Sequence, residues 1–218
     1  MPVTPTSVEV FVDPSCPWAW ITSRWVSDVA PDRELAPTWR SLCIEIRDDY
    51  GVAATVPHDR REVALAAHAL SHRMLRVFEA VRAAEGEPPI GELYTEWGRR
   101  FFDPGRDRLD TSDTVIADAL AACRLDGGLL AAADDDRWDR PIVESMEVAY
   151  AFGGHKTQTP VIVVRTDPPV GWKGPVMAAV PSGDDAVRLW DALLVLAHNP
   201  NLFEMTRPRA RRPILPRL

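Results

Sequence analysis

The sequence has few cysteines and no long apolar run, and both shortages narrow its possible functions. Only three cysteines, Cys16, Cys43 and Cys123, occur in 218 residues. Their odd number and wide spacing exclude a disulfide framework and a paired zinc-ligand motif, so we expect at least one free thiol. No apolar stretch approaches the roughly 20 residues that span a bilayer. The amino-terminal residues lack the basic start and apolar run of a secretory signal, so we expect a cytoplasmic protein.

The chain also lacks an excess of positive charge. Its formal net charge of -7 argues against nucleic acid or an anionic membrane as the main partner, because both bind chiefly through surplus Lys and Arg. No metal site is expected, since His68 and His72 lie four residues apart without a third ligand or an adjacent carboxylate motif. These absences favour a small-molecule substrate.

The first part of the chain predicts a βαβ unit. The β-forming run at residues 8–12 stops at Asp13-Pro14 and reads as a buried strand. Apolar residues then recur at helical spacing, at Trp18, Ile21, Trp25 and Val29. Residues 37–44 are expected to return as a second strand, parallel to the first.

The rest of the chain predicts a helical block and then a ββα unit. Residues 58–145 show mainly helical periodicity, strand character resumes at 161–164, residues 171–180 supply an antiparallel partner, and a last helix follows Ser182. The fold class is therefore α/β, with the order of a thioredoxin fold interrupted by an all-α insertion. We expect four parts, with residues 1–57 and 146–206 forming the thioredoxin fold, 58–145 the insertion, and 207–218 a solvated, arginine-rich tail.

Cys16 is the candidate nucleophile. It lies at the predicted junction of strand and helix, where free backbone N–H groups and the helix dipole favour a negative charge. Cysteines at helix N-termini often have a pKa below that of a free thiol, and the thiolate is the reactive form. The alternative is a small buried core residue, but the position at the C-terminal end of a strand favours function.

Residues 13–25 have the sequence DPSCPWAWITSRW. This segment resembles the active-site segment of the actinobacterial mycothiol-dependent reductases, which belong to the DsbA-like thioredoxin superfamily. Further similarity runs nearly end to end and includes Leu93-Tyr94-Thr95, Thr159-Pro160, Gly174-Pro175-Val176, Leu189-Trp190-Asp191 and residues 204–209. The resemblance implies a DsbA-like fold, Cys16 as the attacking thiol, and Pro160 as a cis-proline facing it. Pro17, Trp18, Ala19 and Thr159 would support the site.

The resemblance also implies the partners of the reaction. No cofactor would be tightly bound, and mycothiol or another small thiol would serve as co-substrate for the reduction of a disulfide or an electrophilic small molecule. Independently of the resemblance, the net charge and the lack of an apolar span lead us to expect no nucleic acid or membrane partner, and we expect a monomer or homodimer.

Ala19 departs from the family pattern. The related reductases carry a Cys-Pro-Trp-Cys arrangement, whereas the resolving cysteine is here an alanine, either native or an engineered trapping substitution. A dithiol cycle is thereby excluded, and a mixed disulfide on Cys16 must be resolved by another thiol. Cys43 is the internal candidate because the second strand ends on the same sheet edge, although packing is the more common role of such a residue.

Three other side chains are candidates for the substrate cleft. Trp18 suits either the core or an apolar wall beside the nucleophile, and Trp20 is expected beneath the insertion or lining the cleft. His155 precedes Thr159-Pro160 closely, so it is either a group that stabilises the Cys16 thiolate or, more commonly, a solvated loop residue.

Two other functions remain open. The first is a thiol-cofactor-dependent isomerase or transferase, resembling the kappa-class glutathione transferases, which generally have serine at the Cys16 position. The second is a non-catalytic binding protein on the same fold. The retained Cys16 favours redox chemistry.

Overall fold

A computed structural model describes residues 5–52 and 56–216. The elements in chain order are β1 (Thr6–Val12), α1 (Pro17–Val29), β2 (Leu35–Ser41), α2 (Ile44–Arg47), α3 (Arg61–Glu85), α4 (Pro88–Phe101), α5 (Thr114–Ala122), α6 (Asp139–Gly153), β3 (Val161–Val164), β4 (Val170–Lys173) and α7 (Gly183–Ala197). Among these residues, no helix is both long enough and apolar enough to cross a membrane.

A mixed four-stranded sheet with the order β2-β1-β3-β4 forms the centre of the molecule. β1 runs parallel to β2, with Val10 opposite Trp39, and antiparallel to β3, with Val10 opposite Ile162. β4 pairs antiparallel with β3 at the edge. The predicted βαβ and ββα order is confirmed, with the helices α3 to α6 between β2 and β3.

Helix α1 is covered on two faces. The apolar residues predicted at helical spacing, from Trp18 to Val29, account for only part of this packing. One face meets α7, where the Trp25 and Trp190 ring centres lie 5.6 Å apart and Trp25 Nε1 donates to the Ala186 carbonyl at 2.9 Å. The other face meets α4 through Trp20, which is fully buried, whereas Trp18 is only half-buried. Large apolar side chains on both sides of α1 therefore fix its position against the sheet.

The end of the second strand differs from the prediction. β2 ends at Ser41, and Cys43 does not lie in a strand but at the N-cap of the short helix α2. The physical reason is the buried carboxylate of Asp13, which accepts the Ile44 N–H at 2.7 Å and turns the chain away from the sheet.

Between β2 and β3, α3 packs against α4 and α6, and α6 also covers the sheet. The proposed boundary at residue 145 falls inside α6, and the four-part division stays a prediction. Ser182 occupies the predicted N-cap of α7, although its side chain makes no capping hydrogen bond.

The arginine-rich tail is exposed along residues 207–212, as predicted, but it is not a free end. It returns to the body of the protein, where Ile214 N–H donates to the Ala178 carbonyl at 2.7 Å and Leu215 packs against the core.

Candidate active site

Cys16 lies between β1 and α1, at the N-cap position of the helix. Its backbone is extended, with φ -80° and ψ 112°, and Pro17 begins the helix where no N–H is needed. The Cys16 N–H donates to the Asp13 carbonyl at 2.9 Å, and the Cys16 carbonyl accepts the Trp20 N–H at 3.0 Å. The thiol is thus held at the first turn of a rigid, buried helix.

The Thr159-Pro160 segment faces this thiol across the sheet edge. The peptide bond between the two residues is cis, as the resemblance implied. The Cys16 thiol donates to the Thr159 carbonyl with a distance of 3.8 Å. Thr159 Oγ1 accepts the Asp13 N–H at 3.2 Å and donates to the Phe11 carbonyl at 3.0 Å. These bonds fix the segment before β3 against the end of β1.

Asp13 organises the loop that carries Cys16. Its fully buried carboxylate accepts the Ser15 N–H at 2.8 Å, the Ser15 hydroxyl at 2.6 Å and the Ser71 hydroxyl at 2.6 Å, all on Oδ1. Its Oδ2 accepts the Ile44 N–H. One carboxylate therefore joins the nucleophile loop to α2 and α3. The sequence interpretation took Asp13 only as part of a turn; the run Asp13-Pro14-Ser15 is a typical side-chain-bonded turn and was the available signal.

Burial reverses the expected acidity of the thiol. Cys16 is 7% exposed, and the loss of solvent raises its pKa to about 11, with the Asp13 carboxylate adding to the rise. The Ala19 and Trp18 N–H groups and the Arg47 guanidinium lower the same pKa, but by less. The low pKa predicted from the helix terminus is therefore wrong, because burial keeps Cys16 protonated at neutral pH.

Arg47 is the cation that the sequence interpretation missed. It lies in α2, where it makes two hydrogen bonds with Asp48 at 2.7 and 2.8 Å, and its side chain is 9% exposed. Burial lowers the Arg47 pKa, but the hydrogen bonds and charge of Asp48, together with the charges of Asp13 and the Cys16 thiolate, raise it by more, so the Arg47 pKa lies above its ordinary value. No local motif marks such a residue, because its proximity to Cys16 depends on how β2 and α2 follow β1.

Cys43 lies on the same sheet edge as Cys16. It follows β2, and the neighbouring Leu42 N–H donates to the Val12 carbonyl at 3.0 Å. The Cys43 side chain is fully buried, and burial raises its pKa well above that of a free thiol. All three cysteines are free thiols, and a resolving role for Cys43 stays a prediction.

The two tryptophans of the site have different surroundings. Trp20 lies beneath the insertion, with its ring centre 5.4 Å from Tyr94 and 5.7 Å from Phe102. A Cβ atom at Gly98 would overlap the Trp20 ring, so glycine is required there. The ring also lines a cavity of about 360 Å³ with Gly98, Arg99, Phe102, Asp103, Pro104 and Pro216. The ring of Trp18 instead lies 5.4 Å from the Arg209 guanidinium.

His155 and His72 have different surroundings. His155 is exposed, and its ring meets Tyr150 edge-on at 5.8 Å. His72 is buried between two carboxylates, with Nδ1 2.8 Å from Glu45 and Nε2 2.7 Å from Asp139. Within residues 5–52 and 56–216, no three His, Cys, Asp or Glu side chains group as metal ligands.

Comparison with known proteins gives a family match along most of the chain. Residues 15–207 match the Rv2466c-like family, described as mycothiol-dependent nitroreductase Rv2466c. The uncharacterized protein Rv2286c of Mycobacterium tuberculosis is 27% identical over 212 residues, which are 94% of this chain and 83% of that protein.

Two solved structures share the fold. A probable DsbA oxidoreductase from Streptomyces coelicolor has a TM-score of 0.59 at 14% identity, covering 94% of each chain. The cytosolic disulfide reductase DsbM from Pseudomonas aeruginosa has a TM-score of 0.56 at 16% identity, covering 88% of this chain and 100% of its own. The DsbA-like thioredoxin fold with a helical insertion is thereby confirmed.

Proposed function

This chain belongs to the Rv2466c-like family of mycothiol-dependent nitroreductases, and on that basis we propose that it is a thiol-dependent oxidoreductase with Cys16 as its single nucleophile. The co-substrate is mycothiol or a similar small thiol, and the substrate is a disulfide or an electrophilic small molecule. The observation that carries this proposal is the Cys16 thiol at the start of α1, 3.8 Å from the carbonyl that precedes the cis-proline. As with the cytosolic reductase of similar fold, we propose a cytoplasmic location.

In the proposed reaction, Cys16 first loses its proton to solvent. The thiolate attacks one sulfur of the substrate disulfide, the S–S bond breaks, and the other half leaves as a thiolate that takes up a proton. A first small thiol attacks the mixed disulfide, releases the substrate half as a thiol, and forms a new mixed disulfide with Cys16. A second small thiol then frees Cys16. The two thiols thus supply the two electrons that the substrate receives, and their own sulfurs end in a new disulfide.

The surrounding groups support the charge that this step develops. The N–H groups of Trp18 and Ala19 and the Arg47 guanidinium all favour the Cys16 thiolate. The half-buried Trp18 and the Thr159-Pro160 segment would form the walls that hold an extended thiol substrate. Because Ala19 stands where the resolving thiol of the related reductases would be, release of Cys16 depends on the small thiol.

The raised pKa of Cys16 supports a second candidate function. A protonated thiol can donate a hydrogen bond to the thiolate of a bound small thiol, as a serine hydroxyl would. The protein would then be a thiol-dependent isomerase, which returns the thiol unchanged, or a transferase, which joins the thiol to an electrophile, and in neither case would the thiol be oxidised to a disulfide. We favour the oxidoreductase because of the family.

Ala19→Cys is expected to restore a dithiol centre. The Ala19 side chain is fully buried in the first turn of α1 and its N–H points at the Cys16 sulfur, so the introduced thiol lies within reach of Cys16. Under oxidising conditions the variant should lose two hydrogens. It should also release a Cys16 mixed disulfide at least about tenfold faster than the unmodified chain, because the second thiol is intramolecular. Intact mass spectrometry and stopped-flow release of a chromogenic thiol measure both effects.

The double variant Cys16→Ser, Ala19→Cys is the matched control, and it should keep its hydrogens and show no release. If Cys16 and the introduced thiol both stay alkylatable under the same oxidant, so that four thiols react instead of the two of Cys43 and Cys123, Cys16 and position 19 do not form the proposed exchange pair.

A further inference from the structure

The tail contains exposed guanidinium groups that form no ion pair within the described part of the chain. We use the term basic tail for residues 207–216. Its four arginines, Arg207, Arg209, Arg211 and Arg212, are exposed and form no ion pair with the residues that the structure describes. Several exposed arginines on the body do form such pairs, as Arg33 does with Asp191 and Arg140 with Glu144. The basic tail is therefore a local concentration of uncompensated positive charge.

The basic tail contacts Trp18, two residues after the nucleophile in the first turn of α1. The Arg209 guanidinium is 5.4 Å from the centre of the Trp18 ring, and Trp18 follows Cys16 by two residues. Farther along, Ile214 N–H donates to Ala178, and Pro216 lines the cavity next to Trp20. The contacts of Arg209 with Trp18 and of Pro216 near Trp20 thus place the basic tail along α1.

The charge of the whole chain makes this placement significant. With a net charge of -7, the protein as a whole repels anions, yet the surface beside Trp18 carries the Arg209 guanidinium. Guanidinium groups bind carboxylates and phosphates through paired, charge-assisted hydrogen bonds. Trp18 adds an apolar surface on which the body of a small molecule can lie.

We infer that the basic tail binds the anionic end of a small disulfide, a carboxylate or phosphate, while its sulfur meets Cys16. This inference rests on the proposed function and names the substrate class for that site. The anionic disulfide binds with its charged group at Arg209 and its apolar part on Trp18. Thiol exchange at Cys16 then follows the balanced step described above.

The test compares three small disulfides of different charge at low ionic strength. The probes are dithiobis(nitrobenzoate), a dianion, hydroxyethyl disulfide, which is neutral, and cystamine, a dication. In the double variant Arg209→Glu, Arg211→Glu, the rate of mixed-disulfide formation on Cys16 should fall about tenfold with the dianion and rise with the dication. The rate with the neutral probe should stay within about twofold of that of the unmodified chain. About 0.5 M salt should remove the differences between the variant and the unmodified chain.

The control is Arg137→Glu with Arg140→Glu, which changes the net charge equally on exposed side chains. This control should leave all three rates within about twofold. A dianion rate that is unchanged in the tail variant, or a fall common to all three probes, overturns the inference alone. If Cys16 of the unmodified chain forms no mixed disulfide with any probe, the proposed function fails, and the inference fails with it.

Discussion

Cys16→Ser is expected to abolish the reduction of hydroxyethyl disulfide by mycothiol, with kcat/KM falling by about 10³-fold or more. A serine hydroxyl fits the same position at the N-cap of α1, but it cannot form or break a bond to sulfur in an exchange. The folded structure should be retained, because Cys16 donates only one long hydrogen bond, to Thr159. Steady-state kinetics with both proteins measure the effect.

Cys123→Ser is the matched control. Cys123 lies at the end of α5 and is partly buried, and the variant should keep kcat/KM within about twofold of the unmodified chain. Retained turnover in Cys16→Ser would contradict the proposed monothiol exchange. If Cys16→Ser still isomerises an electrophile or joins it to mycothiol, with no mycothiol disulfide formed, the isomerase or transferase candidate is favoured, because serine can replace a donating thiol.

Asp13→Asn is expected to weaken the fold and, at the same time, to make Cys16 more acidic. The asparagine amide would direct a donor at the Ile44 N–H, which now donates to Asp13 Oδ2, so two buried donors would face each other. We expect the free energy of unfolding to fall by about 2 to 4 kcal/mol. Because the Asp13 carboxylate raises the Cys16 pKa, its removal should lower that pKa, though burial keeps it above that of a free thiol.

Two measurements separate these effects. Urea denaturation gives the stability. The rate of Cys16 alkylation against pH gives the acidity, since only the thiolate reacts and its fraction rises about tenfold per pH unit below the pKa. In the unmodified chain the rate should still be rising at about pH 9, because the Cys16 pKa is about 11. In Asp13→Asn the profile should move to lower pH.

Ser71→Ala serves as the control for the pH profile. It removes one of the donors to Asp13 and leaves the carboxylate charge in place, so it should cost about 1 kcal/mol of stability. The profile of Cys16 alkylation rate against pH should move much less in Ser71→Ala than in Asp13→Asn. An alkylation rate that levels off below about pH 8 in the unmodified chain would contradict the buried, protonated thiol.

The order of the elements was predictable because it depends on local patterns. The runs at residues 8–12 and 161–164 are continuous β-forming segments bounded by proline, and both are buried strands of the sheet. The packing of α1 was predicted in part, since Trp20 lies beneath the insertion as expected, but the extent of burial on both faces was not predicted. Periodicity finds one apolar face, whereas α1 is enclosed on two, so Trp20 is more deeply buried than Trp18. The partner of Trp20 lies in α4, far along the chain.

The acidity of Cys16 could not be predicted from its position in a helix. Helix termini favour the thiolate, but the opposing cost depends on which distant segments exclude water from the sulfur. Those segments include the loop before β3, and the carboxylate of Asp13 is bonded to Ser71, 58 residues away. Similarly, the composition of residues 207–212 indicated an exposed tail, and only the structure places Arg209 against Trp18.

The central claim is that Cys16 is the thiol that exchanges with the small-thiol partner, and intact mass after incubation with oxidised mycothiol tests it most directly. We predict a single mycothiol adduct per chain, located on Cys16 by peptide mapping. The adduct should form faster at about pH 9 than at about pH 7, and Cys16→Ser should form none. No adduct in the unmodified chain, or an equal adduct on Cys123 in both proteins, would contradict the account.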